Sequence, residues 1–200
     1  RRTMKQQTIT AHMAELRRQM KKVLKTERFD HTLGVAYTAA SLAFLYDVDL
    51  DQALTAGMLH DCAKYLKSSE MITECEKYGI EISDIERLSP GLLHTKLGAF
   101  YAKNVYGVED VDVLSAITYH TTGRPDMSLL EEIIYVADYI EPSRPSLPYI
   151  DEMRACAFTN LHKAALYELK SVITKIKEDN GVMDKRTEET YEYYKKLVEG

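Results

Sequence analysis

Apolar residues recur at steps of three and four along most of this chain, and this spacing restricts it to helical folds. Near the start, Met13, Leu16, Met20 and Leu24 fall on one face of a helix, and lysine and arginine occupy the other faces. No segment alternates apolar and polar residues as a half-buried strand does. The sequence therefore predicts an all-α protein.

Capping residues and prolines mark where the helices begin and end. The predicted helices cover residues 9–24, 30–46, 52–63, 70–78, 92–105, 111–119, 129–139, 150–177 and 187–198, the eighth being either continuous or broken. Asp51 is expected to cap the start of the third helix, and Gly79 to end the fourth. Three of the five prolines fall within 142–148, which we expect to be an irregular loop.

The composition argues against several classes of function. A formal net charge of -5 disfavours a broad nucleic-acid surface, which needs a basic footprint, but it still allows a small anionic ligand. Cys62, Cys75 and Cys156 form no CxxC pair, so we expect no disulfide framework and no zinc knuckle. No apolar run is long enough to cross a bilayer, and no signal peptide is recognised. These features predict a cytoplasmic protein without membrane or nucleic-acid partners.

Six polar residues lie in apolar or small-residue stretches of successive predicted helices. They are His31, His60, Asp61, His94, His120 and Asp138. A buried polar group costs free energy unless it is paired or ligated, and one such histidine alone is most simply a hydrogen-bonded core residue. Six together predict a metal site, because a cation would meet both the imidazoles and the carboxylates. His12 and His162 lie among polar and charged residues and are predicted to be surface side chains.

The order His, His-Asp, His, His, Asp resembles the HD-domain superfamily of metal-dependent phosphohydrolases. His31, the pair His60-Asp61, and Asp138 match its four-residue signature, and His94 and His120 match the extra histidines of its two-metal members. The segments 55–64 (TAGMLHDCAK), 119–123 (YHTTG) and 135–144 (YVADYIEPSR) are similar to the YqeK-type branch. Members of that branch cleave diadenosine tetraphosphate symmetrically into two ADP. The resemblance covers residues 15–195.

This resemblance implies a single compact HD-domain helical bundle with a C-terminal helical extension. We expect an N-terminal helix in 1–25, the metal-binding core in 26–145 and the extension of the same domain in 146–200. The small-molecule partner would be a nucleotide, a dinucleoside polyphosphate as substrate with ADP as product. A homodimer is an open alternative to a monomer.

The resemblance also implies two metal ions, with iron as the expected metal. His31, His60, Asp61 and Asp138 would hold the first ion, whereas His94 and His120 would hold the second with Asp61 as the bridge. This nitrogen and oxygen set also suits manganese, cobalt, nickel or zinc. A hydroxide activated by the metal would then attack phosphorus.

Lys64 and Arg144 are the predicted cationic contacts to phosphate. Lys64 lies one turn after His60 and would bind a phosphate oxygen or orient Asp61, so Asp61 and Lys64 are the candidate catalytic residues. The alternative for Lys64 is a solvated lysine at a helix end. Arg144 would clamp a phosphate through two hydrogen bonds, or it is a surface arginine of the loop.

Further substrate contacts are predicted around the same residues. His94 and His120 are counted among them, and the hydroxyls of Thr121 and Thr122 would donate to phosphate unless they only cap a helix. Gly34 would leave room for the nucleotide or aid helix packing, and the ring of Tyr139 would stack on a base or belong to the core.

Three other functions stay open from the sequence. A nucleotidase or other HD-type phosphohydrolase acting on mononucleotides needs the same metal cluster. A nucleotide-sensing module would keep the fold and bind ligand without turnover. A purely structural helical bundle is hard to reconcile with six buried polar groups that need partners.

Overall fold

The predicted all-α class is confirmed. The computed structural model describes residues 4–200, with their side chains from residue 11 onward, and this range contains helices and no strand. The helices are α1 (Met4–Val23), α2 (Thr26–Tyr46), α3 (Leu50–Leu59), α4 (Ser68–Lys77), α5 (Asp84–Leu88), α6 (Leu93–Asn104), α7 (Val111–Tyr119), α8 (Leu129–Ile140), α9 (Ile150–Cys156), α10 (Leu161–Glu178) and α11 (Lys185–Glu199). None of these helices is both long enough and apolar enough to span a membrane.

Helix α2 packs against α3 and α8. The contact with α3 is close because small residues line it: a Cβ on Gly57 would lie 2.7 Å from the Cα of Ala36. Larger side chains fill the core around this contact. Met58, Leu59, Leu97, Ile117, Ile133 and Ile134 are among those that are fully buried. The close approach matters for the site, because α2, α3 and α8 each carry predicted metal ligands.

The start and end of α3 differ from the prediction. Asp49, not Asp51, caps the helix, since its carboxylate accepts hydrogen bonds from the backbone N–H groups of Asp51 and Gln52. The sequence offers an aspartate at both positions, and the extended backbone of Asp49 decides between them. The helix ends at Leu59 and not at 63. Tight turns follow, in which the backbone N–H of Lys64 donates to the carbonyl of Asp61 at 2.9 Å.

Helix α5 and the 3₁₀ turn after it were not predicted. Ser83 and Glu86 form a capping box at the start of α5, a short-range signal present in the sequence. The 3₁₀ turn Pro90–Leu92 then leads directly into α6. The predicted helix 150–177 is interrupted between α9 and α10. The side chain of Asn160 caps α10 by accepting a hydrogen bond from the backbone N–H of Lys163.

The C-terminal helices pack on α8 through a buried carboxylate. Glu132 of α8 accepts a hydrogen bond from the hydroxyl of Tyr194 at 2.5 Å and pairs with His162 Nδ1 at 2.9 Å. His162 is half exposed, as expected, but it is also part of this helix contact. His12 is partly exposed, 3.7 Å from Asp51. The division of the chain at residues 25 and 145 stays a prediction, and its residues 1–3 lie outside the described part.

Candidate metal centre

The six predicted ligands converge at one place although five helices carry them. His31 lies inside α2, His60 and Asp61 directly follow α3, His94 is in the first turn of α6, His120 directly follows α7 and Asp138 is in the last turn of α8. The four histidines and Asp61 are buried, and the side chain of Asp138 is 19% exposed. The helix ends therefore bring side chains from distant parts of the chain into one cluster.

His31, His60 and Asp138 form the first group. The Nε2 atom of His31 lies 3.0 Å from Asp138 Oδ1, and the Nε2 atom of His60 lies 3.8 Å from the same oxygen. The three potential ligand atoms all lie within 4.8 Å of one another. This spacing suits a single cation held by two imidazoles and a carboxylate.

The two oxygens of Asp61 face different histidines. Oδ2 lies 3.5 Å from His60 Nε2 and 3.9 Å from His31 Nε2. Oδ1 lies 3.4 Å from His94 Nε2 and 3.6 Å from His120 Nε2. A second group with metal-binding spacing consists of His60, Asp61 and His120. Asp61 thus stands between two pairs of imidazole nitrogens, which is the arrangement that a bridging carboxylate requires.

Hydrogen bonds at the far side of each ring orient the four histidines. His60, His94 and His120 each place Nδ1 on the backbone carbonyl three residues earlier, at 2.7, 2.5 and 2.7 Å. His31 places Nδ1 on the Glu141 carboxylate at 3.0 Å. Because a carbonyl oxygen can only accept, Nδ1 carries a proton in the first three rings, and the neutral form of each ring has its lone pair on Nε2. Glu141 was not predicted as a site residue, although it stands in the segment EPSR that the sequence singled out.

Two buried imidazole nitrogens indicate that these residues fit a metal ion. His31 Nε2 and His60 Nε2 are buried, and neither makes a well-aligned hydrogen bond in the described part of the chain, although Asp138 Oδ1 lies 3.0 Å from His31 Nε2. A buried polar atom without a partner costs free energy, and a bound cation would remove that cost at both nitrogens. The donor set of imidazole nitrogens and carboxylate oxygens is the kind that transition metals bind.

The ionisation of the side chains at the centre also suits a metal site. Burial opposes ionisation of Asp61, but the surrounding histidines, His60 first, hold its pKa well below the usual value. Burial, followed by the nearby charge of Lys64, lowers the pKa of His94 well below its usual value. The carboxylate is therefore ionised and the His94 ring neutral at physiological pH, which are the forms that ligate metals.

Two arginines contact the candidate ligands. Arg28 Nη1 lies 2.8 Å from Asp61 Oδ2. Arg144 donates from Nη2 to Asp138 Oδ1 at 2.5 Å and from Nε to the Asp138 backbone carbonyl at 2.8 Å. Arg28 was missed in the sequence because no local pattern shows a contact that spans 33 positions.

A cleft of about 860 Å³ opens beside the centre. Its wall contains His31 and Glu141 together with the cations Lys25, Arg28, Lys64, Lys67 and Arg144. The volume falls in the range of pockets that hold small organic ligands. The predicted phosphate contacts Lys64 and Arg144 thus share one cavity with a candidate metal ligand.

The remaining predicted contacts lie in different places. The hydroxyl of Thr121 is 3.3 Å from His94 Nε2, beside the centre, and the hydroxyl of Thr122 donates to the Gly123 carbonyl. Tyr139 is half-buried, hydrogen-bonds Ser171 of α10 and is not among the residues that line the cleft. The space beside Gly34 holds Glu141, because a Cβ on this glycine would overlap the Glu141 carboxylate.

The sequence and fold were compared with known proteins. Residues 28–143 match the family model described as the HD domain. A relative from Halalkalibacterium halodurans is 42% identical over 84% of this chain and 89% of its own length, and one from Bacillus subtilis is 39% identical over 90% and 95%. Both are named symmetrical bis(5'-nucleosyl)-tetraphosphatase.

The fold is also similar to a crystal structure from Clostridium acetobutylicum. That protein is described as a predicted HD superfamily hydrolase involved in NAD metabolism. The two chains are 40% identical and superpose with a TM-score of 0.87 over 92% of this chain and 97% of the other.

Proposed function

The chain belongs to the HD-domain family, and from this membership we propose that it hydrolyses diadenosine tetraphosphate symmetrically to two ADP. The observation that supports the proposal is the position of five candidate metal ligands in two groups, beside a cleft whose wall holds five cations and three carboxylates. A tetraphosphate chain is polyanionic, and a cleft of this charge suits it. The names of the two bacterial relatives supply the substrate.

We further propose that the centre holds two metal ions, with iron as the first choice and manganese, cobalt, nickel or zinc as alternatives. His31, His60, Asp61 and Asp138 would hold one ion, and Asp61, His94 and His120 the other. Bound metals of this kind lower the pKa of water and stabilise negative charge on phosphoryl oxygens.

The side chains of the protein perform the remaining tasks. The Nδ1 hydrogen bonds of the four histidines keep each Nε2 directed at the centre. Lys64 and Arg144 would hold the polyphosphate in the cleft, where charged hydrogen bonds are stronger than in water. Because attack on phosphorus needs positioning and charge stabilisation, no protein nucleophile is required. Burial raises the pKa of the Cys62 thiol, so this cysteine stays protonated and unreactive.

Product analysis tests the substrate. Metal-loaded protein should convert diadenosine tetraphosphate to ADP alone, and in ¹⁸O-labelled water one of each two ADP molecules should carry the label. Formation of ATP and AMP would contradict symmetrical cleavage. Turnover of mononucleotides without turnover of diadenosine tetraphosphate would favour the nucleotidase instead, and nucleotide binding without any turnover would favour the sensing module.

An Asp61→Asn variant provides the matched control for that assay. The amide keeps the size of the side chain but removes the negative charge that both histidine pairs face. We expect this variant to lose nearly all activity and most of its bound metal. Full activity with full metal content would contradict the bridging role of Asp61.

A further inference from the structure

Arg28 holds a carboxylate oxygen that the metal centre also needs. Its Nη1 atom donates to Asp61 Oδ2 at 2.8 Å, and this oxygen is the one that faces His31 and His60. Asp61 is almost fully buried, so its charge needs a partner. The Arg28 guanidinium supplies one positive charge at this oxygen, beside the imidazoles of His31 and His60.

A metal ion at the same oxygen would repel this guanidinium. Two cations that share one carboxylate oxygen lie only a few ångströms apart, and their repulsion is strong where water is excluded. Within the described residues, His31 Nε2 and His60 Nε2 make no well-aligned hydrogen bond, and a divalent ion would gain both of them as ligands. The ion therefore competes with the Arg28 guanidinium for Asp61 Oδ2.

The two arginines of the cleft differ in how firmly they are held. Arg144 has two hydrogen bonds to Asp138, one of them to the backbone carbonyl, and its side chain is 27% exposed. Arg28 has a single side-chain hydrogen bond in the described part of the chain, and its side chain is 38% exposed. It also lines the cleft, next to Lys64. Arg28 can thus turn from Asp61 into the cleft without losing a backbone anchor.

We propose that Arg28 is an exchangeable cation: metal binding displaces it from Asp61, and it then binds a phosphate oxygen of the substrate. This inference rests on the proposed function for the identity of the substrate. Metal loading would then strengthen substrate binding, because the metal-free centre keeps one phosphate-binding arginine occupied. The same side chain would also neutralise Asp61 until the metal arrives.

Two titrations of an Arg28→Gln variant test the exchange. Mn²⁺ binding to the metal-free protein should become about 3- to 10-fold tighter, since the competitor for Asp61 is gone. ADP binding to the Mn²⁺-loaded protein should become about 10-fold weaker or more, the effect of one lost charged hydrogen bond. Weaker or unchanged Mn²⁺ binding together with unchanged ADP binding would overturn the proposal, because Arg28 would then be only a structural ion-pair partner.

Lys25→Gln is the charge-matched control. Lys25 lines the same cleft and is exposed, but no ion pair joins it to a candidate metal ligand in the described part of the chain. If the charge of the cleft alone mattered, this variant would change both affinities as much as Arg28→Gln does, and the exchange would be refuted. Arg28→Lys is the control for a folding defect, because it keeps the positive charge but lacks the planar guanidinium group. Its Mn²⁺ and ADP affinities should change in the same directions as those of Arg28→Gln, by smaller factors.

Both titrations can be read independently of hydrolysis. If diadenosine tetraphosphate is not cleaved, the proposed substrate is wrong, while the Mn²⁺ titration still reports whether Arg28 competes for Asp61. If hydrolysis occurs but both affinities stay unchanged in Arg28→Gln, the function stands and the exchange is wrong.

Discussion

His31 Nδ1 lies 3.0 Å from Glu141 Oε1, although 110 positions of the chain separate the two residues. The same carboxylate accepts hydrogen bonds from the backbone N–H of Ser143 at 2.7 Å and from its hydroxyl at 2.6 Å. Glu141 is therefore fixed by the loop after α8 and in turn fixes the ring of a candidate metal ligand. Such carboxylate–histidine pairs orient the ring and raise its basicity toward a metal.

Replacing this carboxylate should weaken the first metal group. We expect Glu141→Gln to reduce metal affinity or activity by about 10- to 100-fold, the usual effect of losing such a partner. Ser143→Ala is the matched comparison, because it removes one hydrogen bond to the carboxylate and leaves the charge in place. Metal titration of both variants checks the prediction, and equal effects would mean that the charge of Glu141 is unimportant.

Gly34 should be intolerant of even one methyl group. A Cβ at this position would overlap the Glu141 carboxylate and push it away from His31. Alanine favours the helix interior by about 1 kcal/mol over glycine, so Gly34→Ala should lower activity with little loss of stability. In Gly181→Ala the new Cβ meets Ile176 only at 3.4 Å, an ordinary contact, and activity should not change. A fully active Gly34→Ala enzyme would contradict this account of Glu141.

Arg144 should affect substrate binding more than metal binding. It donates hydrogen bonds to Asp138 and does not ligate, so Arg144→Ala should keep its metals. We expect KM for diadenosine tetraphosphate to rise about 10-fold or more, as one charged hydrogen bond to phosphate is lost. Metal analysis beside the kinetic measurement separates the two effects. Loss of metal would show that Arg144 acts mainly by holding Asp138.

Glu168 of α10 should make the stability of the protein depend on pH. It is buried, and its Oε2 has no hydrogen-bond partner in the described part of the chain. Burial, and then the charge of Asp138, raise the pKa of this carboxyl well above its usual value, while Arg144 opposes the shift. A raised pKa in the folded state means that its contribution to stability is present below the usual carboxyl pKa. That contribution is lost as the pH rises through the folded pKa.

A Glu168→Gln variant removes this ionisation. Thermal unfolding of the metal-free protein should show a higher Tm for the variant at pH 8 and a smaller difference at pH 5. Each kcal/mol of relieved cost corresponds to about 2–4 °C for a chain of this length. Glu178→Gln, an exposed position at the end of the same helix, is the control and should leave Tm unchanged at both pH values. A lower Tm for Glu168→Gln at pH 8 would contradict the prediction.

The sequence by itself determined the helical class, most helix positions and the six candidate ligands. These follow from short-range physics: apolar spacing defines the helix faces, and polar groups in apolar stretches need partners. The predicted helix 111–119 coincides with α7, whereas the cap of α3 was misplaced because Asp49 and Asp51 offer the same local chemistry. Short α5 has a capping box but too few apolar positions to show a period.

The tertiary structure decided which distant groups meet those ligands. Glu141 reaches His31 across 110 positions, and Arg28 reaches Asp61 across 33. No local spacing encodes these contacts, because they depend on how α2, α3 and α8 pack together. The same packing places the Glu141 carboxylate in the space beside Gly34. From the sequence, that space was expected either to admit a nucleotide or to aid helix packing. Residue type and periodicity thus indicated the candidate ligands, and the packing of the helices determined their partners.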